Sequence, residues 1–243
     1  MLEAAARGIL PSWGEMGPLR REHTIRVGAV MGSWASELGL PDHEVGRWRA
    51  AGLLHDVLRD ADPDGLRREL GPPLGELPPA ILHGPAAAAR LQALGVTDEP
   101  LLEAIRWHTL GDPGLDRLGR ALYCADFLEP GRRRDRTWRE GLRYRFPLDE
   151  DGVLVAVTRE RTAHQEAASG ELHPRTRAFR ERVLGGGPPG VGPSVDELRE
   201  DEGPENGAGE DEGTGDRAGE DEGAGNRAGE DAAPPATSGG GTS

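Results

Sequence analysis

Val45-Gly46-Arg47-Trp48-Arg49-Ala50-Ala51-Gly52-Leu53-Leu54-His55-Asp56 is the stretch on which the reading of the fold turns. Val45, Trp48 and then Leu53 with Leu54 return at three- to five-residue intervals, as on one face of an α-helix. His55 stands seven residues from Trp48 and three from Gly52, on the same inward face, and Asp56 follows about 100° further round. Burying an unpaired carboxylate costs several kcal/mol unless it finds a cation or changes its pKa. Asp56 therefore needs a partner that the helix itself does not supply.

Working outward, nearly every segment repeats at three and four, and strict alternation is confined to Val153–Val157, where a helical frame also fits. The expected fold class is all-α. Leu19, Val27, Val30 and Trp34 mark the inward face of a helix ending near Gly39, with Pro41 beyond it. Asp42 is expected to cap the next helix, running to about Arg59, and Asp62 to open a short third. Four prolines and two glycines make residues 71–79 a loop. Helices follow over about 85–94, 98–108 and 115–128, then, after Arg132–Arg136, a loop, then helices over about 149–168 and 174–184.

Composition divides the chain. Residues 191–243 hold 15 acidic residues and 3 arginines, with a ten-residue period visible in Ala208–Arg217 and Ala218–Arg227. So polar a repeat cannot bury enough surface to offset the entropy of ordering, and it reads as a disordered tail. Residues 1–190, read as the folded domain, hold 28 acidic against 26 basic residues, so the overall charge of −14 says little about what that domain binds. All 29 basic residues are arginine, which excludes a Walker-type phosphate loop and a catalytic lysine. A single cysteine, Cys124, excludes an intrachain disulfide framework, and the absence of a targeting signal or a long apolar run points to a cytoplasmic protein with no membrane partner. One basic run, Arg132-Arg133-Arg134, without interleaved aromatics argues against nucleic acid as a partner.

Other polar residues repeat the anomaly of Asp56. His23 lies four residues from both Leu19 and Val27, and His108 is seven from Leu101 and three from Ile105. Asp126 interrupts an apolar stripe four residues after Leu122, and His83 stands at a helix start before Gly84-Pro85. A lone histidine on an apolar face is usually a core residue with one satisfied hydrogen bond. Two buried aspartates without evident inward arginines, among four such histidines, instead make metal the missing partner; a purely structural buried network is the competing reading. His43 and His164 read as solvated, and Cys124 as core.

The ordered set His23, His55-Asp56, His83, His108 and Asp126 resembles the ligand pattern of the HD-domain superfamily. The wording around it is similar to the YqeK-like family of symmetrical diadenosine tetraphosphate hydrolases: Arg20-Arg21-Glu22-His23-Thr24, Leu82-His83-Gly84-Pro85, His108-Thr109, Ala125-Asp126-Phe127-Leu128-Glu129-Pro130-Gly131-Arg132 and His173-Pro174-Arg175-Thr176. The likeness runs from about Arg20 to Leu184. Arg59 stands where the family usually has lysine, and Leu110-Gly111-Asp112 departs from the family pattern. The resemblance implies a helical bundle, two divalent metal ions, iron favoured, and hydrolysis of diadenosine tetraphosphate to two ADP.

Imidazole and carboxylate donors also suit manganese, zinc, cobalt or nickel. The expected arrangement puts His23, His55 and Asp126 on one ion and His83 and His108 on the other, with Asp56 bridging and a shared hydroxide as nucleophile. Asp56, His83 and His108 are the expected catalytic residues. Arg59, Arg132 and Arg175 are candidates for the distal phosphates and Thr109 for a hydroxyl contact, with Arg20 and His173 added by the family motifs. The expected partner is a small dinucleoside polyphosphate, and a homodimer is compatible with the sequence. Alternative readings are another HD nucleotide phosphohydrolase, acting on a nucleotide or a cyclic dinucleotide, and a non-catalytic nucleotide-binding module.

Overall fold

The computed structural model describes residues 1–132 and 134–185, with only the backbone of Ser169. The acidic repeat and the domain boundary placed at residue 190 lie outside the described residues. Among the described residues there are ten α-helices and no strand. They are α1 (Leu2–Ala6), α2 (Pro18–Glu37), α3 (Asp42–Leu54), α4 (Pro63–Leu70), α5 (His83–Ala93), α6 (Glu99–Trp107), α7 (Arg117–Leu128), α8 (Arg136–Arg145), α9 (Glu150–Ser169) and α10 (Pro174–Leu184). The all-α expectation holds, including over Val153–Val157, which lies inside α9. No helix is long and apolar enough to cross a membrane.

The central pair is α2 against α3. Its tightness comes from two glycines: a Cβ on Gly52 would stand 2.7 Å from the Cα of Gly28, and one on Gly28 would stand 2.8 Å from Leu53 Cγ. Two backbones approach this closely only where neither carries a side chain. Val27, Met31, Trp34, Trp48 and Leu54 fill the space around the crossing and are almost wholly buried. Trp34 then stacks on Phe146 at 3.8 Å between ring centroids and donates its indole N–H to the Arg143 carbonyl at 2.9 Å, which ties α2 to the end of α8.

Three expectations need correction. Leu19 is 80% exposed, because the buried face of α2 begins only at His23. The helix expected to reach Arg59 ends at Leu54, and residues 55–60 form turns. Backbone bonding there tightens to i→i+3, from Val57 N–H to the Leu54 carbonyl and from Arg59 N–H to the Asp56 carbonyl, while His55 Nδ1 contacts the Gly52 carbonyl at 2.8 Å. Asp42 lies in the first turn of α3 rather than capping it, since Pro41 is the N-cap residue and no side-chain bond forms. A fourth feature, α8, falls in the segment read as loop: its formula is very polar, and only Trp138, Leu142 and Phe146 carry the i, i+4, i+8 repeat inward.

Aspartates do cap α4, α6, α7 and α9 through Asp62, Asp98, Asp116 and Asp149. Asp98 has a double role: it accepts from Leu101 N–H at 3.1 Å and pairs with Arg47 of α3 at 2.5 and 2.8 Å. Removing a cap typically costs about 1 kcal/mol and a partly exposed ion pair adds up to about 1 kcal/mol. Asp98→Ala is therefore expected to lower stability by about 1–2 kcal/mol in urea unfolding at pH 7. The Arg47 hydrogen bond outweighs burial and holds the Asp98 carboxyl below its ordinary range. That stability is present above the unfolded carboxyl's pKa and fades as pH falls through the lower folded value, so the wild-type and variant curves should converge in acid.

Candidate metal centre

Five elements deliver the six side chains to one point. His23 comes from the second turn of α2, His55 and Asp56 from the end of α3, His83 from the first residue of α5, His108 from just past α6, and Asp126 from the last turn of α7. His23, His55, Asp56, His83 and His108 are each at most 6% exposed, and the Asp126 side chain is 13% exposed. Gly84 lets α5 meet α6: a Cβ there would stand 2.8 Å from the Ile105 carbonyl and 3.3 Å from the His108 ring. Any larger residue would push His83 away from His108, whose Nε2 atoms lie 3.1 Å apart.

The two oxygens of Asp56 face different sets. Oδ1 is 3.0 Å from His83 Nε2 and 3.4 Å from His108 Nε2. Oδ2 is 3.7 Å from His23 Nε2 and 3.6 Å from His55 Nε2, and those two nitrogens lie 3.1 and 3.9 Å from Asp126 Oδ1. His23, His55 and Asp56 form one group able to hold a cation and Asp56, His83 and His108 another, with Asp56 common to both.

Outer contacts aim the imidazoles. His55 Nδ1 meets the Gly52 carbonyl and His108 Nδ1 the Ile105 carbonyl, each at 2.8 Å, while His23 Nδ1 is 3.3 Å from Glu129 Oε1. An N–H on each outer nitrogen leaves the Nε2 lone pair pointing inward, the orientation metal-binding histidines take. The buried Nε2 atoms of His23 and His55 have no hydrogen-bond partner. Orphaned buried acceptors beside two carboxylates are costly unless a cation completes them, so the donor set fits a divalent ion on physical grounds.

The charge states of His55, His83 and the two aspartates agree with that, whereas metal-free His23 favours its protonated form and must lose a proton to bind an ion. Burial pushes the His55 pKa down to about 4 and lowers that of His83, favouring neutral imidazoles. Burial would raise the carboxyls of Asp56 and Asp126, but the facing imidazoles, and for Asp126 also Arg161 and Arg132, hold both well below the carboxylate range. Burial also opposes charge on His23, yet the neighbouring Asp126 and Glu129 outweigh it and raise that imidazole to about 9.

Arginines neutralise both aspartates, which the sequence did not make evident: Arg20, expected only as a substrate contact, places Nη1 3.0 Å from Asp56 Oδ2, and Arg161, not singled out, places Nη1 3.2 Å from Asp126 Oδ2. Arg161 was hidden because it arrives from α9, 35 residues on, and its immediate neighbours Glu160 and His164 suggest a solvated face. Glu129 was also missed. It is 2% exposed, contacts His23, accepts from Arg26 at 2.5 Å and from Gly131 N–H at 2.7 Å, and is held at about 2 against the cost of burial. Its position three residues after Asp126, where the helix stops, was the available signal.

The expected substrate contacts divide. Thr109 Oγ1 is 3.0 Å from His108 Nε2 and 3.5 Å from His83 Nε2, and Arg132 reaches Asp126 Oδ1 at 3.4 Å, so both stand at the cluster. Arg59 donates weakly to the Ala80 carbonyl. His173 caps α10 by accepting from Arg175 N–H, while the Arg175 guanidinium pairs with Asp112 and covers the Trp107 ring at 3.7 Å. Neither His173 nor Arg175 makes a contact with the six-residue cluster among the described residues. The Asp112 that departs from the family pattern is what engages Arg175.

Residues 20–136 of this helical bundle match the family model described as HD domain. Among characterised relatives, it is 32% identical over 119 residues to the Staphylococcus aureus protein named bis(5'-nucleosyl)-tetraphosphatase, symmetrical, covering 46% of this chain and 60% of that one. Proteins of the same name from Halalkalibacterium halodurans and Bacillus subtilis are 27% identical over 143 residues and 46% identical over 55 residues. These matches cover 56% and 22% of this chain, and 74% and 30% of the relatives. The chain thus spans less than two thirds of the length of the S. aureus and B. subtilis proteins. A solved structure from Clostridium acetobutylicum, described as a predicted HD superfamily hydrolase involved in NAD metabolism, superimposes with a TM-score of 0.60 at 24% identity over 76% of this chain and 95% of that one, which shows the shared fold.

Losing an outer contact to a metal-binding histidine typically weakens metal affinity 10–100-fold. Glu129→Gln is expected to fall in that range, read by competition with a chromophoric chelator, while helix content stays unchanged.

Proposed function

We propose that this protein is a metal-dependent phosphohydrolase that cleaves diadenosine tetraphosphate at its centre, releasing two ADP. The observation that carries the reading is Asp56, whose oxygens face two separate histidine sets 3.0–3.7 Å away. The names of the S. aureus, H. halodurans and B. subtilis relatives support the substrate. His23, His55 and Asp126 would hold one divalent ion, His83 and His108 the other, and Asp56 both; iron is the proposed pair, with manganese, zinc, cobalt or nickel also suited to these donors. When bound, such a pair supplies Lewis acidity toward phosphoryl oxygens and lowers the pKa of water.

The chain's own residues do the rest. Outer contacts to Gly52, Ile105 and Glu129 fix the imidazoles of His55, His108 and His23 before substrate arrives, so little reorganisation of these three is needed at reaction. Thr109, beside His83 and His108, can donate its hydroxyl to a non-bridging phosphate oxygen, and Arg20 and Arg132, 31% and 45% exposed, stand where negative charge must be balanced. Water adds to one of the two central phosphorus atoms, the bond to the central bridging oxygen breaks, and both fragments leave as ADP.

Product analysis after incubation with iron or manganese tests this. Two ADP as sole products is the expected outcome; AMP with ATP contradicts central cleavage. Turnover of a nucleoside monophosphate or cyclic dinucleotide in its place would make this another HD phosphohydrolase, and tight binding without turnover a sensing module.

A further inference from the structure

On the Asp126 side of the cluster lies a recess of about 190 Å³ whose lining includes Asp126, Phe127, Arg132, Arg139, Arg161 and His164. Three guanidiniums and an imidazole thus surround one carboxylate, and that carboxylate belongs to the proposed metal centre. Arg161 is engaged by Asp126 and by the carbonyls of Tyr123 and Thr109 at 3.0 and 3.2 Å. Arg139 differs. It is only 6% exposed, donates to the carbonyls of Arg134 and Phe127, and lies 4.0 Å over the Phe127 ring. Those acceptors are neutral, so its charge has no ion-pair partner among the described residues. Burial, then repulsion from Arg132, pulls its pKa below the ordinary arginine value, against the longer-range attraction of Asp135 and Glu160. A buried cation crowded by a second cation and facing a cavity is stabilised by an anion entering that cavity.

Central cleavage of a four-phosphate chain leaves two phosphates on each side of the broken bond. A reacting phosphorus at the cluster therefore needs positive charge on both flanks. Arg20 stands at the Asp56 flank, 3.0 Å from its Oδ2. The recess supplies the other flank. We propose that the Arg132–Arg139–Arg161–His164 recess is a subsite for the pyrophosphate group of one nucleoside diphosphate half of the substrate, an inference that rests on the function proposed above.

Calorimetric titration of ADP into metal-stripped protein, with inorganic pyrophosphate as competitor, reports on this subsite without the attraction that bound ions would themselves exert on phosphate. Two variants are compared with wild type: Arg139→Met, which removes the buried charge, and His164→Glu, which adds a negative charge at a side chain already 38% exposed. Each is expected to weaken ADP binding tenfold or more, and pyrophosphate to displace ADP from wild type. If Arg139→Met fails to fold, as circular dichroism would reveal, His164→Glu decides alone. Equal ADP affinity in wild type and His164→Glu overturns the subsite, whatever products the metal-loaded enzyme makes. Wild type that does not release two ADP overturns the functional reading instead, and the ADP titration still reports on the recess.

Discussion

Asp56→Asn should abolish turnover while leaving the helical fold in place, with a rate loss on the order of 10³-fold or more, as for residues that act as a unit in one site. The variant keeps the shape of the side chain and removes its charge. Both proposed ion positions share this carboxylate, so one substitution weakens both. Metal analysis should show the variant losing both ions rather than one. Stability should move little in chelator, within about 1 kcal/mol, because removing a buried charge also removes its desolvation cost. Its partner Arg20, 31% exposed, can turn to solvent. Adding metal at about 100 times its dissociation constant should stabilise wild type by about 2.7 kcal/mol and the variant hardly at all. The competing picture, a buried network that only holds helices together, makes the opposite forecast: a large drop in the metal-free unfolding midpoint. That drop, measured in chelator, would remove the catalytic interpretation of Asp56.

Gly52→Ala should be among the most damaging single methyl additions at the α2–α3 crossing. The added Cβ would meet backbone on α2, at 2.7 Å from Gly28 Cα, 2.8 Å from Gly28 N and 3.0 Å from Val27 C. Backbone cannot rotate away as a side chain can, so the helices must separate. Overpacking costs typically about 1–3 kcal/mol, and the expected loss here is about 3 kcal/mol. For a domain of this size that lowers the thermal midpoint by roughly 6–12 °C. It should also impair metal binding, because the Gly52 carbonyl anchors His55 and the displaced helix α2 carries His23. A variant as stable as wild type would mean the crossing can relax, and the close approach would then have no energetic weight.

Much of this was legible along the chain. The repeat of Trp48, Leu53 and Leu54 and the stripe through Leu122 and Asp126 place these residues on the buried faces of helices, as the structure shows. The six donors stood out because imidazole and carboxylate on an apolar face are chemically conspicuous, and all six do come together. Misjudgements had local causes. Leu19 has helical spacing but sits in the first turn, before the buried face of α2 begins. Trp138, Leu142 and Phe146 did carry the period of α8, but arginine-rich neighbours masked it. Arg161 and Glu129 could not be ranked from the sequence, because surface and buried charges of the same type look alike until something is seen to face them.

Helical period, the chemical identity of the donors and their order are properties of neighbours along one chain, set within a few turns, and the sequence by itself determined them. Which donors share an ion, which arginine answers which aspartate, and that a buried guanidinium lines a cavity beside Asp126 depend on residues 25 to over 100 positions apart. Those relations were decided only when α2 closed on α3 at Gly28 and Gly52 and α5 closed on α6 at Gly84. The reason is geometric: helix spacing is written locally in side-chain size, but the point where several helices aim their polar groups exists only once they have packed.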